Sequence, residues 1–363
     1  MNKIKEIDKN TAVTYLDGDT GLRYHSPLDP PFRLYGVLPE FPLRRFPRKV
    51  TAKVNEFVER LALSTAGGRV RFRTDSHKIA VRAVTPDQML FPHMTFVGTS
   101  CFDIYLRDER GYVFSTSFIT ESGRPERFQS AVCFTGDGMR DITIDLPLYD
   151  GVSELTIGLD PGARIEEAAP YRSEKPIVFY GSSIVQGGCA SRPGNSYQGM
   201  ISRRFDCDYI NLGLAGRAMG EDAIAEYAAS LPMELFVYDY DYNAPDAAHL
   251  EKTHERFFLK FRESRPDVPV IIASRTNRAP EAAGDADNLA RREVIRRTYE
   301  NALKRGDRKV AFIDGQAIFD AAKLIGASPF DCTVEGCHPN DLGFACMAKV
   351  FGDAIADILG WEK

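Results

Sequence analysis

A change of hydrophobic period near residue 165 constrains this chain more than any other feature. Before it, short runs alternate apolar and polar residues: "RVRFRT", "KIAVRAV", "SCFDIYLRD", "YVFSTSFI", "RDITIDLPL" and "SELTIGL". Such alternation predicts half-buried antiparallel strands. Turn chemistry falls between the runs, at Asp108-Glu109-Arg110-Gly111 and Gly136-Asp137-Gly138. Only "VNEFVERLALS", residues 54–64, has helical spacing. Residues 1–165 are therefore expected to form an all-β sandwich domain. "DPGARIEEAAPYRSEKP", residues 160–176, has no period and two late prolines, and reads as a connection.

From residue 177 onward the pattern changes. The apolar runs "IVFYG", "YINLG", "LFVYDYD", "VPVIIAS" and "VAFIDG" alternate with helical stretches, clearest at 246–263, 288–304 and 341–359. Short apolar strands separated by helices predict a parallel sheet covered on both faces. Residues 176–363 are thus expected to be an α/β domain, and 363 residues suit two domains. Ligands bind such sheets at the carboxyl ends of the strands, so the residues that follow each strand are the candidate site.

Composition narrows the partners. The net charge is −5 and no basic stripe stands out, which argues against nucleic acid and anionic membrane and for a neutral substrate. Seven scattered cysteines read as reduced thiols. "MNKIKEIDKN" is charged and lacks the apolar core of a signal peptide, and no apolar run is long enough to span a bilayer. The expected compartment is the cytoplasm.

Four loops carry chemistry-bearing residues. In "PIVFYGSSIVQGG", Ser183 follows the first strand of the α/β half. Its hydroxyl needs a base to become a nucleophile, and a serine in such a turn can equally be a helix cap. In "DCTVEGCHPNDLG", His338 lies before Pro339, a natural first helical residue. Glu335, three residues earlier, is placed to hold one ring nitrogen, with Asp331 as the other candidate. "NLGLAGRAMG" offers Gly213 and Gly216, whose N–H groups are unobstructed oxyanion donors. "VYDYDYNAP" offers the Asn243 amide, which also suits an Asx turn. His249 and His254 fall in a helical stretch and read as packed or solvated residues. Tyr242, Arg275, Asn277 and Arg278 are candidates for the substrate rim, although the arginines also read as solvated loop charges. Cys332, Cys337 and His338 do not have a usual zinc spacing. Cys189 lies too far beyond the strand end to be the nucleophile.

The order Ser, Gly, Asn, His resembles the SGNH, or GDSL-like, hydrolase superfamily, over about half of the chain. "GSSIVQGG" looks like its first block, with Ser183 at the nucleophile and Ser182 where many members have Asp. "NLGLAG" resembles the second, with Gly216 at the oxyanion glycine. "DYNA" resembles the third, with Asn243 at the oxyanion asparagine and Asp241 and Ala244 replacing the usual Gly and Asp. "EGCHP" resembles the last, with Glu335 replacing the usual Asp. "CFDIY", Cys101 to Tyr105, looks like the G-x-D-L-Y motif of a β-sandwich domain that precedes some members. Its Asp103 reads either as a contact to the other domain or as a satisfied strand carboxylate.

The resemblance implies a flavodoxin-like three-layer domain with a five-stranded parallel sheet, preceded by a jelly-roll-like sandwich. It implies a serine esterase without metal or organic cofactor. The catalytic residues would be Ser183, His338 and Glu335, and the oxyanion donors Ser183, Gly216 and Asn243. It further implies carbohydrate O-acyl esters, acetyl esters foremost, as the substrate class. The alternatives are an acyltransferase using the same site and an inactive carbohydrate-binding protein. The oligomeric state stays open, although a homo-oligomer is common for enzymes of this kind.

Overall fold

The computed structural model describes residues 21–86, 91–109, 111–119, 126–276 and 285–362. Its internal contacts divide the chain into two units that do not follow the sequence order strictly. The first takes in the described residues of Met1–Arg45, Leu63–Pro170 and Arg192–Gly194. The second takes in Phe46–Ala62, Tyr171–Ser191 and the described residues of Asn195–Lys363. The early helical segment therefore belongs with the α/β half. Its helix Glu56–Leu61 is capped by Asn55, whose side chain accepts from Val58 N–H. The ring of Phe46 packs on Tyr227, and Arg217 lies over Phe57.

The first unit holds two antiparallel sheets. One runs β1 (Arg23–His25), β9 (Glu154–Leu159), β4 (Lys78–Val84), β7 (Arg127–Cys133). The other runs β10 (Ile165–Glu166), β3 (Arg69–Thr74), β8 (Arg140–Asp145), β5 (Phe102–Asp108), β6 (Gly111–Phe118), with β2 (Arg33–Tyr35) also on β3. Both sheets feed one core: Ile79, Val81, Leu155 and Ile157 from the first pack with Val70, Phe72, Ile104 and Ile142 from the second. This is the expected sandwich. β10 falls inside the stretch read as a connection, and a two-residue strand is too short to show a period.

Alternation misleads in β3. "RVRFRT" predicts outward-facing arginines, yet Arg69 and Arg71 are buried. Arg71 donates to the Tyr112 hydroxyl at 2.5 Å and lies 4.0 Å from Asp141, so internal partners replace water.

The second unit is built on a five-stranded parallel sheet in the order β12 (Tyr209–Gly213), β11 (Ile177–Gly181), β13 (Leu235–Asp239), β14 (Val270–Ala273), β15 (Val310–Ile313). The strand order reverses at β11, and such a switch point opens a crevice at the carboxyl edge. Register places Gly181 level with both Gly213 and Asp239. The loops after β11, β12 and β13 therefore leave the sheet side by side. Tyr180, Phe236, Tyr238, Phe257 and Phe261 stack behind that edge, with Phe236 and Phe261 centroids 4.4 Å apart. Among the described residues, no helix is long and apolar enough to cross a membrane.

Candidate active site

The strand β11 ends on two serines because each has a different task. Ser182 is the N-cap of a four-residue helix, Ser183–Gln186, and its hydroxyl accepts from Ile184 N–H at 3.2 Å. That leaves the Ser183 hydroxyl for another partner, and it lies 2.9 Å from His338 Nε2. Sequence reasoning weighed capping for Ser183; the cap is the residue before it. Gly181 is needed for close approach rather than for a sharp turn. A Cβ there would meet the Asp239 carbonyl at 2.2 Å and the Val185 side chain at 2.5 Å. Gly187 does need its freedom: it closes the short helix at φ 102°.

His338 stands on a tight turn. Thr333 bridges Pro339, Val334 N–H donates to the His338 carbonyl at 2.9 Å, and Gly336 has φ 81°. The turn folds Glu335 back over its own histidine. One carboxylate oxygen, Oε1, accepts from His338 N–H at 2.9 Å and faces Nδ1 at 2.8 Å. Glu is one methylene longer than Asp, and this recurved turn absorbs the difference. Nδ1 as donor to Glu335 leaves Nε2 as the acceptor facing Ser183. No hydrogen bond joins the Asp331 carboxylate to His338; its backbone carbonyl accepts from Asn340 Nδ2 at 2.7 Å. The last helix, Asp341–Leu359, starts later than Pro339 suggests. Asn340 is its N-cap, accepting from Gly343 N–H at 3.0 Å. Asp341 then takes Ser191 N–H and Asn195 Nδ2, each at 2.9 Å, which ties the segment beyond the Ser183 helix to the segment beyond His338.

The two other loops are braced against the first. Gly216 sits at φ 69°, between two anchored amides. Ala215 N–H donates to Gln186 Oε1 at 3.1 Å, and Ala218 N–H donates to Asn243 Oδ1 at 3.2 Å. With its oxygen on Ala218, Asn243 keeps its Nδ2 amide for another acceptor. Gly213 ends β12 where a Cβ would meet Gln186 N at 2.2 Å. Sequence reasoning missed Gln186; a glutamine in the first turn of a helix gives no signal of its target until the sheet order is known.

Hydrogen bonds thus bring Ser183, His338 and Glu335 together, and link the Gly216 loop to the Asn243 loop. Two of the rim candidates, Tyr242 and Arg275, are occupied internally. The Tyr242 hydroxyl bonds to Thr276, including Thr276 N–H at 3.0 Å. Arg275 is not a solvated charge: its side chain is mostly buried, its N–H donates to Asp241 at 3.1 Å, and its guanidinium lies 3.6 Å from Asp287. Asn277 and Arg278 lie outside the described residues, as does Arg110 of the β5–β6 turn. His249 Nε2 bonds the Met219 carbonyl at 2.9 Å, and His254 is buried against Tyr238, with Nδ1 2.8 Å from Thr298 Oγ1. Burial drives the His254 imidazole down to about 3. It also pushes the Cys189 thiol up to about 12, with Glu335 nearby adding to the effect, which makes that cysteine a poor nucleophile. Glu335, Cys337 and His338 offer donor atoms within 4.8 Å of one another, but Cys332 is not in that group; it is buried beside Cys346.

In the first unit, Asp103 is a satisfied strand carboxylate. It is fully buried and accepts from Ser117 Oγ at 2.7 Å, Gly194 N–H at 2.8 Å and Arg192 Nη1 at 3.1 Å.

Comparison with known families agrees with both halves. The GDSL-like Lipase/Acylhydrolase family matches residues 174–356. The family described as the N-terminus of SGNH-hydrolase-type esterases matches residues 22–165. A search of curated protein sequences finds no match. Among solved structures, one assigned as a GDSL-like lipase from Bacteroides ovatus is 27% identical, with a TM-score of 0.83, covering 94% of this chain and 99% of that one. A salicylyl-acyltransferase from a tetracycline biosynthetic pathway is 21% identical, with a TM-score of 0.73, covering 94% and 98%. An acetyl xylan esterase from Butyrivibrio proteoclasticus is 14% identical, with a TM-score of 0.57, covering 94% and 100%. At those last two identities the likeness is one of fold.

Proposed function

Because the chain belongs to the GDSL-like lipase/acylhydrolase family, we propose that it hydrolyses O-acyl esters, acetyl esters of carbohydrates foremost, through Ser183, His338 and Glu335. The observation that carries this reading is the pair of contacts on one imidazole: Ser183 Oγ at 2.9 Å from Nε2 and Glu335 Oε1 at 2.8 Å from Nδ1. That arrangement suits two-step acyl transfer. Ser183 Oγ attacks the ester carbonyl while its proton passes to His338 Nε2. Glu335 holds the ring in the tautomer that can accept it and stabilises the imidazolium that results. The N–H groups of Ser183 and Gly216 and the Asn243 amide receive the oxyanion; losing one such donor typically costs ~10²–10³ in rate. His338 then returns its proton to the leaving alcohol, and the ester C–O bond breaks. Water, deprotonated by the same imidazole, cleaves the acyl-enzyme and frees the acid. Every group in this cycle is a side chain or backbone amide of the chain itself.

The carbohydrate assignment is supported by the acetyl xylan esterase that shares the two-part fold, and by an acidic chain suited to neutral substrates. A second reading, transfer of the acyl group to a hydroxyl other than water, is supported by the salicylyl-acyltransferase of the same fold. Both share the acyl-enzyme and differ only in the acceptor. The test is a panel of esters from acetyl to long acyl, on p-nitrophenol and on acetylated oligosaccharides, with and without an added acceptor sugar. Release of free acetate from the oligosaccharides is the expected result. Strong preference for long chains would remove the carbohydrate reading, and acylated acceptor in place of free acid would select the transferase. Oligosaccharide binding with no ester turnover would indicate an inactive binding protein.

A further inference from the structure

Asn243 belongs to a turn whose backbone is bonded by a buried cation that the sequence motifs do not include. It is the third residue of a turn, 241–244, closed by Ala244 N–H donating to the Asp241 carbonyl at 3.0 Å. Arg291, on the helix Ala286–Lys304, is only 3% exposed. Its Nη1 donates to the Ala244 carbonyl at 2.9 Å and to the Asp241 carbonyl at 3.3 Å, so one nitrogen grips both ends of the turn. The same nitrogen lies 3.4 Å from Asp241 Oδ1. Nε donates to Asp287, one helical turn earlier, at 2.5 Å, which fixes the plane of the guanidinium. The other Asp241 oxygen takes Arg275 N–H at 3.1 Å. The turn is thus held from two sides, by Arg291 and by the Arg275 N–H, and the Asn243 side chain reaches across to Ala218.

A buried guanidinium is costly to desolvate, and the bonds of Nε and Nη1 offset that cost here. We infer that Arg291 is a positioning residue for the reaction, fixing the 241–244 turn so that the Asn243 amide is preset for the oxyanion. The inference rests on the oxyanion role given to Asn243 above. Arg291 touches neither substrate nor reacting atoms; its effect passes through the asparagine.

The test is a double-mutant cycle on p-nitrophenyl acetate with Arg291→Met, Arg291→Lys, Asn243→Ala and the two combinations, reading kcat, KM and melting temperature. Arg291→Met is expected to lower kcat by about 10-fold to 100-fold, with KM nearly unchanged, since a loosened donor loses part of what a deleted one loses. In the Asn243→Ala background the same change should cost nothing further. Arg291→Lys keeps the charge without the fork, so it serves as the test if the Met variant does not fold; it too should lower kcat only while Asn243 is present. Losses that multiply in the double variants, or an unchanged kcat per folded molecule in both single variants, would overturn the inference while leaving the oxyanion reading intact. A full kcat in Asn243→Ala would instead overturn the oxyanion reading and this inference with it.

Discussion

In the β unit, charged side chains are buried within strands, where Arg69, Arg71 and Asp103 are closed off from solvent. In the α/β unit, the candidate site side chains follow the strand ends, where Ser183 and Asn243 remain partly open and bond across from one segment to another. The first arrangement fixes a shape. Each buried charge has partners inside the fold, and removing a partner is expensive. The second leaves donors and acceptors aimed at a shared space, where a substrate can take part. The difference predicts that substitutions in the β unit change stability, whereas substitutions at the strand-end loops change turnover.

The largest expected effect in this contrast is at Glu335. Glu335→Gln should lower kcat by ~10²–10⁴, because the ring loses the charge that holds its tautomer and stabilises the imidazolium. The melting temperature should hardly move, since the residue is on an open turn. Asp331→Asn should leave kcat unchanged. A reversed outcome, with Asp331 critical and Glu335 dispensable, would reassign the carboxylate that supports His338.

Next comes Asp103→Ala. The change strands the Gly194 N–H and leaves Arg192 without its carboxylate, at a cost of roughly 3 kcal/mol. For a unit of this size that corresponds to a fall of about 6–12 °C, measurable by calorimetry. A variant that melts like the wild type would remove the claim that buried charge holds the β unit together.

The smallest effect concerns pH. His254 is buried in the neutral form, and its folded-state value of about 3 lies below that of an exposed imidazole. A group depressed on folding contributes stability that is complete above the unfolded value, ~6.5, and is lost as pH falls toward the folded one. At pH 5 the loss is about 2 kcal/mol. His254→Phe should therefore lose less melting temperature between pH 7 and pH 5 than the wild type. Equal losses in the two proteins would mean that other groups carry the acid sensitivity.

Much of this was legible in the chain, and the gaps have physical causes. The five parallel strands were visible because each is a short, mostly buried apolar run closed by turn residues. The last helix was legible because its apolar positions repeat over 19 residues, although Pro339 pointed to a start two residues too early. The edge strand β2 and the two-residue β10 were not, since three residues or fewer carry no period. The burial of Arg69 and Arg71 was not legible, because alternation records polarity and not whether an internal partner replaces water. At the site, Ser183, His338 and Glu335 could be named because they sit in distinctive turns. Gln186 and Arg291 could not: one is a helix residue, and the other lies 47 positions beyond Ala244 of the turn it grips, with nothing local to mark it.

The central claim is that the hydroxyl beside His338 becomes the acyl carrier. Rapid mixing with p-nitrophenyl acetate, followed by acid quench and peptide mass analysis, tests it most directly. A burst of about one equivalent of nitrophenol, with an acetyl group on the peptide at Ser183, is the predicted result, and Ser183→Ala should show neither burst nor turnover while keeping its melting temperature. Sustained ester hydrolysis by Ser183→Ala, or acetyl found only on another residue, would contradict the account.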